Sequence, residues 1–165
     1  MNRSRVHPAG FTLLELILVM VIICTALALA APSLNGWARG SKMRDAVDQF
    51  VAMTQYARTQ AISTATVHRL QIDGAARTYY VLIQDVDGQF IHLTSDMGRE
   101  FPLPDEFSLK MTDDAGQNRD FVDFYPTGRT DPTTVVITGP DGDAKTIQCP
   151  SPTEAFRLVN PGDAR

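Results

Sequence analysis

One stretch near the start of the chain decides how the rest is organised: residues 10–23 read GFTLLELILVMVII. The apolar run continues to residue 31, and the only charged residue inside it is Glu15; the next is Arg39. At about 1.5 Å per helical residue, such a run spans or nearly spans a hydrocarbon core of about 30 Å. A charge inside a membrane segment is costly, so Glu15 is predicted to be functional and to need a partner.

The ten residues before this run form a short polar leader that carries Arg3 and Arg5 and ends in Gly10. A secretory signal peptide would place its cleavage site after the apolar region, whereas the distinctive junction here, Gly10-Phe11, lies before it. The two arginines favour a cytoplasmic N-terminus and an outward-facing remainder. The alternative is an ordinary signal anchor in which the acidic residue occurs by chance.

The order of basic leader, Gly10 and then Phe-Thr-Leu-Leu-Glu closely resembles the type IV prepilin class. This resemblance implies that a prepilin peptidase cleaves between Gly10 and Phe11 and methylates the new amine of Phe11. It also implies that the carboxylate of Glu15 neutralises the Phe11 ammonium of a neighbouring subunit in a filament. The physics agrees, because two buried charges are tolerated only when they are paired.

Length and charge limit the other possibilities. The chain has 165 residues, which allows one modest domain besides the anchor. Its formal net charge is −4, and loss of Arg3 and Arg5 with the leader would leave it near −6, which argues against nucleic-acid binding driven by overall charge. Cys24 and Cys149 are not expected to meet, so no internal disulfide is predicted.

A long helix is predicted over 11–64, with a membrane segment at 11–31 and an amphipathic half at 32–64. The amphipathic half shows a helical stripe of mostly apolar side chains, formed by Met43, Val47, Phe50, Thr54, Ala57 and Ala61. Gly36 and Gly40 are read as weak points in this helix, with close helix packing as the alternative. The stripe is too short for a coiled coil and favours docking onto a domain.

Beyond residue 64 the hydrophobic period changes from helical to alternating. Strands are predicted at 67–72, 78–84, 89–94, 107–111, 121–125, 133–138, 145–149 and 155–159. Glycine-containing turns separate most of them, and Pro102 and Pro104 mark an irregular connection. The predicted fold class is therefore α+β, with the long helix followed by an antiparallel two-sheet domain over 65–165.

Two patches narrow the resemblance to the GspH/FimT family: YARTQAI at 56–62 and FYPTG at 124–128, followed by the strand at 133–138. This family resemblance implies a minor pseudopilin of type II secretion, a structural subunit with no catalytic activity, cofactor or metal. It implies a single-pass anchor in the bacterial inner membrane and a periplasmic β domain. The implied partners are other major and minor pseudopilins, prepilin peptidase, the inner-membrane assembly platform and lipid. The loop at 94–120 resembles nothing in particular.

Few side chains suggest chemistry. The histidines, His7, His68 and His92, have no catalytic motif around them, and Cys149 is read as a packed thiol. Acidic pairs occur at residues 85 and 87 and at 141 and 143. They could supply oxygen ligands to calcium, but their spacing and their adjacent glycines favour ordinary hairpin turns.

Two competing functions remain. Some relatives of the FimT kind bind DNA during uptake through basic residues near the C-terminus, and here the candidates are Arg129, Lys145, Arg157 and Arg165. Acidic residues share that region, so solvated charge is the preferred interpretation and nucleic acid is not expected as a partner. The other competitor is an unrelated membrane-tethered enzyme, which an uncut N-terminus would support.

Overall fold

The computed structural model describes residues 11–159, and the side chains of 29–39 are not among those described. The elements, in chain order, are helix α1 (Leu13–Thr64), β1 (His68–Asp73), β2 (Thr78–Gln84), β3 (Phe90–His92), a short 3-10 helix (Asp96–Gly98), β4 (Phe101–Pro102), β5 (Ser108–Asp113), β6 (Asn118–Arg119), β7 (Phe121–Phe124), β8 (Thr133–Thr138), β9 (Ala144–Cys149) and β10 (Arg157–Val159). The chain divides into two compact units between Ser41 and Lys42.

Helix α1 is a single element of 52 residues. It begins two residues later than predicted and continues through the predicted weak points at Gly36 and Gly40. It ends at Thr64, where Ala65 adopts a left-handed conformation with φ +54°. A left-handed residue just after the last helical one is a common way to end a helix.

The strands form two antiparallel sheets. Sheet A has the order β3-β2-β1-β7, with β4 also pairing with β2, and sheet B has the order β10-β9-β8-β5-β6. The predicted α+β class with two antiparallel sheets is confirmed.

Most predicted strands lie close to their predicted positions, and β2 and β8 have the predicted bounds. Two very short strands were missed. Strand β4 includes Pro102, which the sequence had assigned to an irregular connection; it is a two-residue pairing at the edge of β2. Proline is compatible with an edge strand because its missing N–H can face away from the sheet. Strand β6 pairs through only Asn118 and Arg119.

The core of the second unit forms where the helix meets both sheets. All six residues of the predicted helical stripe are buried, and Ala46 and Met53 join them. Sheet A contributes fully buried side chains such as Leu70 and Val81, and sheet B contributes Val135 and Ile147, so the helix packs into one core with both sheets. Burial of each such side chain stabilises the folded state by about 1.5–3 kcal/mol.

Candidate functional site

The first turn of α1 holds the residues on which the predicted assembly site depends. The hydroxyl of Thr12 accepts a hydrogen bond from the backbone N–H of Glu15 at 3.2 Å, and the carbonyl of Thr12 accepts one from Leu16. Thr12 is therefore the N-cap of the helix and Glu15 its third residue, the spacing of a capping box. An acidic side chain in the first turn also interacts favourably with the positive end of the helix dipole.

The side chain of Glu15 lies on an exposed segment of the helix. It forms no hydrogen bond or ion pair with any residue that the structure describes. The side chains of residues 11–28 are all exposed in the isolated chain, including Phe11 at 82 %. The hydroxyl of Thr25 donates to the backbone carbonyls of Val21 and Ile22, at 3.0 and 2.9 Å, so its hydrogen-bonding capacity is satisfied within the helix. The segment thus presents an apolar surface with one unpartnered carboxylate.

Among the described residues, no helix combines the length and the apolarity that a membrane crossing needs. The predicted membrane segment, 11–31, extends into 29–31, whose side chains lie outside those described. Gly10 and the rest of the leader also lie outside the described residues, as do the side chains of Pro32, Trp37 and Arg39.

The two sequence patches that narrowed the resemblance lie against each other at the end of α1. Arg58, from the first patch, donates hydrogen bonds from Nη1 to the carbonyl of Glu154 and from Nη2 to that of Thr153, both at 2.7 Å. Gly128, from the second patch, faces the side chains of Ile62 and Arg58, which a Cβ built at this position would meet within 4.0 Å. We call these five residues the Arg58 junction; it fastens the helix end to two loops of the β domain.

Gly128 is required at this junction for two reasons. Its φ of +77° is one that residues with a side chain rarely adopt. A Cβ placed there would lie 3.3 Å from Cδ1 of Ile62, closer than an ordinary contact. A larger residue at position 128 would therefore be strained in its backbone and would require the Ile62 side chain to shift by a few tenths of an ångström.

Cys149 lies next to the junction and is fully buried. Its Sγ donates to the carbonyls of Ser151 and Glu154, at 3.2 and 3.3 Å. Burial raises the pKa of the thiol, and the nearby charge of Arg58 only partly opposes this shift. A protonated, buried thiol is a poor nucleophile, so Cys149 serves packing as the sequence indicated.

A second ionic feature lies on the outward face of sheet A. Arg69 binds Asp123 through two parallel hydrogen bonds of 2.7 and 2.9 Å. Its guanidinium lies 3.8 Å from the ring centres of both Phe90 and Phe121. The hydrogen bond to Asp123 raises the pKa of Arg69. This cluster connects β1, β3 and β7 across the sheet.

Two of the candidate basic residues, Lys145 and Arg157, lie on different faces of sheet B. Arg157 lies opposite Gln148 in the β9–β10 pairing, and Lys145 is three residues before Gln148 on β9. Residues three apart on a strand point to opposite faces, so Lys145 and Arg157 are separated by the sheet. Arg157 is also 3.9 Å from Glu154, and Arg165 lies outside the described residues. The patch stays a prediction, with this geometry against it.

The two histidines that the structure describes, His68 and His92, show no catalytic arrangement. His68 is fully buried; its Nδ1 lies 3.0 Å from the carbonyl of Thr66, and its Nε2 has no hydrogen-bond partner among the described residues. His92 stacks on Tyr80 with ring centres 4.9 Å apart, and His7 lies outside the described residues. Over the part of the chain that the structure describes, no group of three or more metal-binding side chains occurs. At the predicted turn, Asp85 accepts a bond from the backbone of Asp87, as in an ordinary Asx turn.

Sequence reasoning missed two contributors to these sites. Thr12 could have been found, because Thr-x-x-Glu before an apolar run is the sequence signature of a capping box. The bonds of Arg58 could not, because its carbonyl partners lie more than 90 residues away in the chain and any residue type could supply them.

The helix, the two antiparallel sheets and the first-turn glutamate define a pilin-like protein. A model of the prokaryotic N-terminal methylation motif matches residues 7–31. The family model described as "Type II transport protein GspH" matches residues 46–150, well over half of the chain. The chain therefore belongs to the GspH family.

Individual proteins agree with this assignment. The type II secretion system protein H of Xanthomonas campestris pv. campestris is 41% identical over 70 residues, which cover 42% of this chain and 41% of that protein's length. The minor pseudopilin EpsH from the type 2 secretion system of Vibrio cholerae has a similar fold, with a TM-score of 0.63, 15% identity, and coverage of 75% of this chain and 99% of its own. The type IV minor pilin FimU of Pseudomonas aeruginosa is also similar, with a TM-score of 0.56, 15% identity, and coverage of 75% and 92%.

Proposed function

We propose that this protein is a minor pseudopilin, a structural subunit of a type II secretion pseudopilus that takes part in protein export. One observation carries the proposal: a single chain combines the N-terminal methylation motif with the GspH domain. The helix start supports it, because a capped first turn presents Glu15 on an exposed apolar segment, as a helix-packed filament would require.

Processing by prepilin peptidase would make Phe11 the first residue of the mature chain. Its methylated amine remains positively charged and lies just before the N-cap, where the positive end of the helix dipole disfavours a cation. A carboxylate must offset this charge once the segment leaves water. Glu15 of a neighbouring subunit would supply it, and this pairing would set the register between subunits. Intact-mass analysis should find a chain that begins at methylated Phe11.

The protein would reside in the bacterial inner membrane, with 11–31 as the anchor, the N-terminus in the cytoplasm and the β domain in the periplasm. Other pseudopilins, prepilin peptidase, the assembly platform and lipid are its proposed partners. The known role of such a subunit is structural, and we propose no catalytic activity.

Replacing Glu15 tests the assembly role. We expect Glu15→Ala to reduce co-purification with other pseudopilins at least about tenfold, because it leaves a buried ammonium unpaired. Thermal unfolding of the β domain should not change, since Glu15 lies outside that compact unit. Thr25→Ala is the matched control, because the Thr25 hydroxyl is satisfied within its own helix. Normal co-purification of Glu15→Ala would contradict the proposal.

A FimT-type minor pilin of a type IV pilus, acting in pilus assembly or DNA uptake, is the second candidate, because the fold also matches FimU. Deleting the gene and scoring protein secretion and DNA uptake in one strain separates the two. Lost secretion with intact uptake supports the pseudopilus. The reverse result would assign the protein to a pilus and would make Arg129, Lys145 and Arg157 the next targets.

A further inference from the structure

A surface cleft of about 500 Å³ opens beside the Arg58 junction. Two prolines, Pro126 and Pro152, and Tyr125 form its apolar walls, and Arg129 and Asp131 are at its polar side. Its volume lies within the range of about 300–1,000 Å³ that is usual for ligand sites.

The shape of this cleft is fixed by backbone hydrogen bonds. The N–H of Tyr125 donates to the carbonyl of Arg129 at 2.9 Å, and the N–H of Gly128 donates to that of Tyr125 at 2.8 Å. The N–H of Thr130 donates to the carbonyl of Pro152 at 2.9 Å, which joins the two proline-bearing walls. Because Gly128 also packs on Ile62, the helix holds the turn from behind. A preformed cleft loses little entropy when it binds a partner.

Of the two charged side chains that line the cleft, Arg129 is the one without an ion partner among the described residues. Asp131 pairs with Arg119 at 3.5 Å, Arg119 also binds Asp113 at 3.3 Å, and Asp123, just before the turn, is engaged by Arg69. Arg129 is exposed, and its side chain forms no ion pair or hydrogen bond with any described residue. The guanidinium of Arg129 is thus the group of the cleft that can bind a carboxylate of a partner.

We propose that this cleft binds an extended, carboxylate-bearing segment of a neighbouring pseudopilin, with Arg129 holding the carboxylate. The inference rests on the proposed function and adds a partner surface to it. Proline and tyrosine walls suit an extended peptide, and an arginine can bind a carboxylate through two parallel bonds. A nucleic acid fits less well, because several phosphates need several cations, and Lys145 on β9 and Arg157 on β10 lie on opposite faces of sheet B.

Peptide binding to the purified full-length chain in detergent tests the recognition chemistry. The probes are fluorescein-labelled Gly-Pro-Ala-Asp-Ala-Pro-Gly amide and the same peptide with Asn in place of Asp. We expect the Asp peptide to bind about tenfold more tightly, as one charge-assisted contact provides, and Arg129→Glu to remove the difference. Lys110→Glu makes the same charge change at an exposed site on β5 and should have no effect. Equal binding of both peptides by the unmodified chain would overturn the proposal.

Co-purification from cells then separates this inference from the proposed function. The unmodified chain, Arg129→Glu and Lys110→Glu are expressed in the deletion strain, and identified pseudopilins that co-purify are quantified. A several-fold loss with Arg129→Glu alone supports the cleft. If Arg129→Glu and the unmodified chain recover the same amount of pseudopilins, the proposed role of the cleft is refuted and the proposed function is not. Failure of the unmodified chain to recover any pseudopilin would refute the proposed function itself.

Discussion

Replacing Arg58 by Met should loosen the attachment of the helix end to the β domain. The substitution keeps most of the apolar stem but removes both hydrogen bonds to the carbonyls of Thr153 and Glu154. Bonds from a charged donor contribute about 1.5–3 kcal/mol each. Because water can reach these carbonyls once the arginine is gone, we take twice the low end, about 3 kcal/mol, as the upper limit and expect a total loss of about 2–3 kcal/mol.

Thermal unfolding of the full-length chain in detergent, followed by near-ultraviolet circular dichroism, measures this loss. For a domain of this size we expect the midpoint to fall by about 6–12 °C. Arg44→Met is the matched control, since Arg44 lies exposed on the same helix and bonds to no described residue. Arg58→Lys should recover only part of the loss, because an ammonium cannot reproduce the planar fork. A midpoint for Arg58→Met no lower than that of Arg44→Met would refute the reasoning.

Three further changes test the packing of the β domain by the same unfolding measurement. Gly128→Ala should lower the unfolding midpoint more than Gly116→Ala does. The two glycines have similar φ values, +77° and +75°, but only at Gly128 would a new Cβ meet a neighbour within 4 Å. Equal decreases in the midpoint would argue against the tight contact. Burial raises the pKa of Tyr79 to about 12. The contribution of its neutral phenol to folding stability is therefore complete below pH 10 and is lost as the pH rises toward 12. Between pH 9 and pH 11, the free energy of unfolding of Tyr79→Phe should fall by about 1 kcal/mol less than that of the unmodified chain. Identical pH profiles for the two chains would contradict this. Arg69→Lys should destabilise the domain by about 1–3 kcal/mol, because it breaks the two-bond contact with Asp123; an unchanged midpoint would show that the cluster contributes little.

The regular elements were predictable because their signals are local. The strand at 133–138, TTVVIT, alternates between buried and half-buried residues and was found at its true bounds. The helical stripe from Met43 to Ala61 likewise needed only a period of 3.6 residues. Strands β4 and β6 escaped because two residues are too few to show a period, and their pairing depends on where distant parts of the chain come to lie.

The candidate sites also differ in whether a local sequence signal could predict them. The Phe11 and Glu15 assignments could be proposed from a contiguous motif, whereas the Arg58 junction depends on contacts between segments that are far apart in sequence. The two patches at 56–62 and 124–128 were recognised separately, and nothing local indicated that Gly128 packs on Ile62. For the same reason the sequence could not assign sheet faces to the basic candidates, because no local signal indicated that Lys145 and Arg157 lie on different faces of sheet B.

Substitutions of Thr12 can separate two roles of the first helical turn, the capping of the helix and the charge pairing proposed for Glu15. Thr12→Val keeps the shape of the side chain but removes the hydroxyl that caps the helix, at a cost of about 1 kcal/mol, and it leaves the Glu15 carboxylate in place. If charge pairing sets the register, this variant should lower co-purification with other pseudopilins only several-fold, well short of Glu15→Ala. Thr12→Ser keeps the cap and should behave as the unmodified chain. A defect of Thr12→Val as severe as that of Glu15→Ala would show that a formed first turn, rather than the carboxylate, controls assembly.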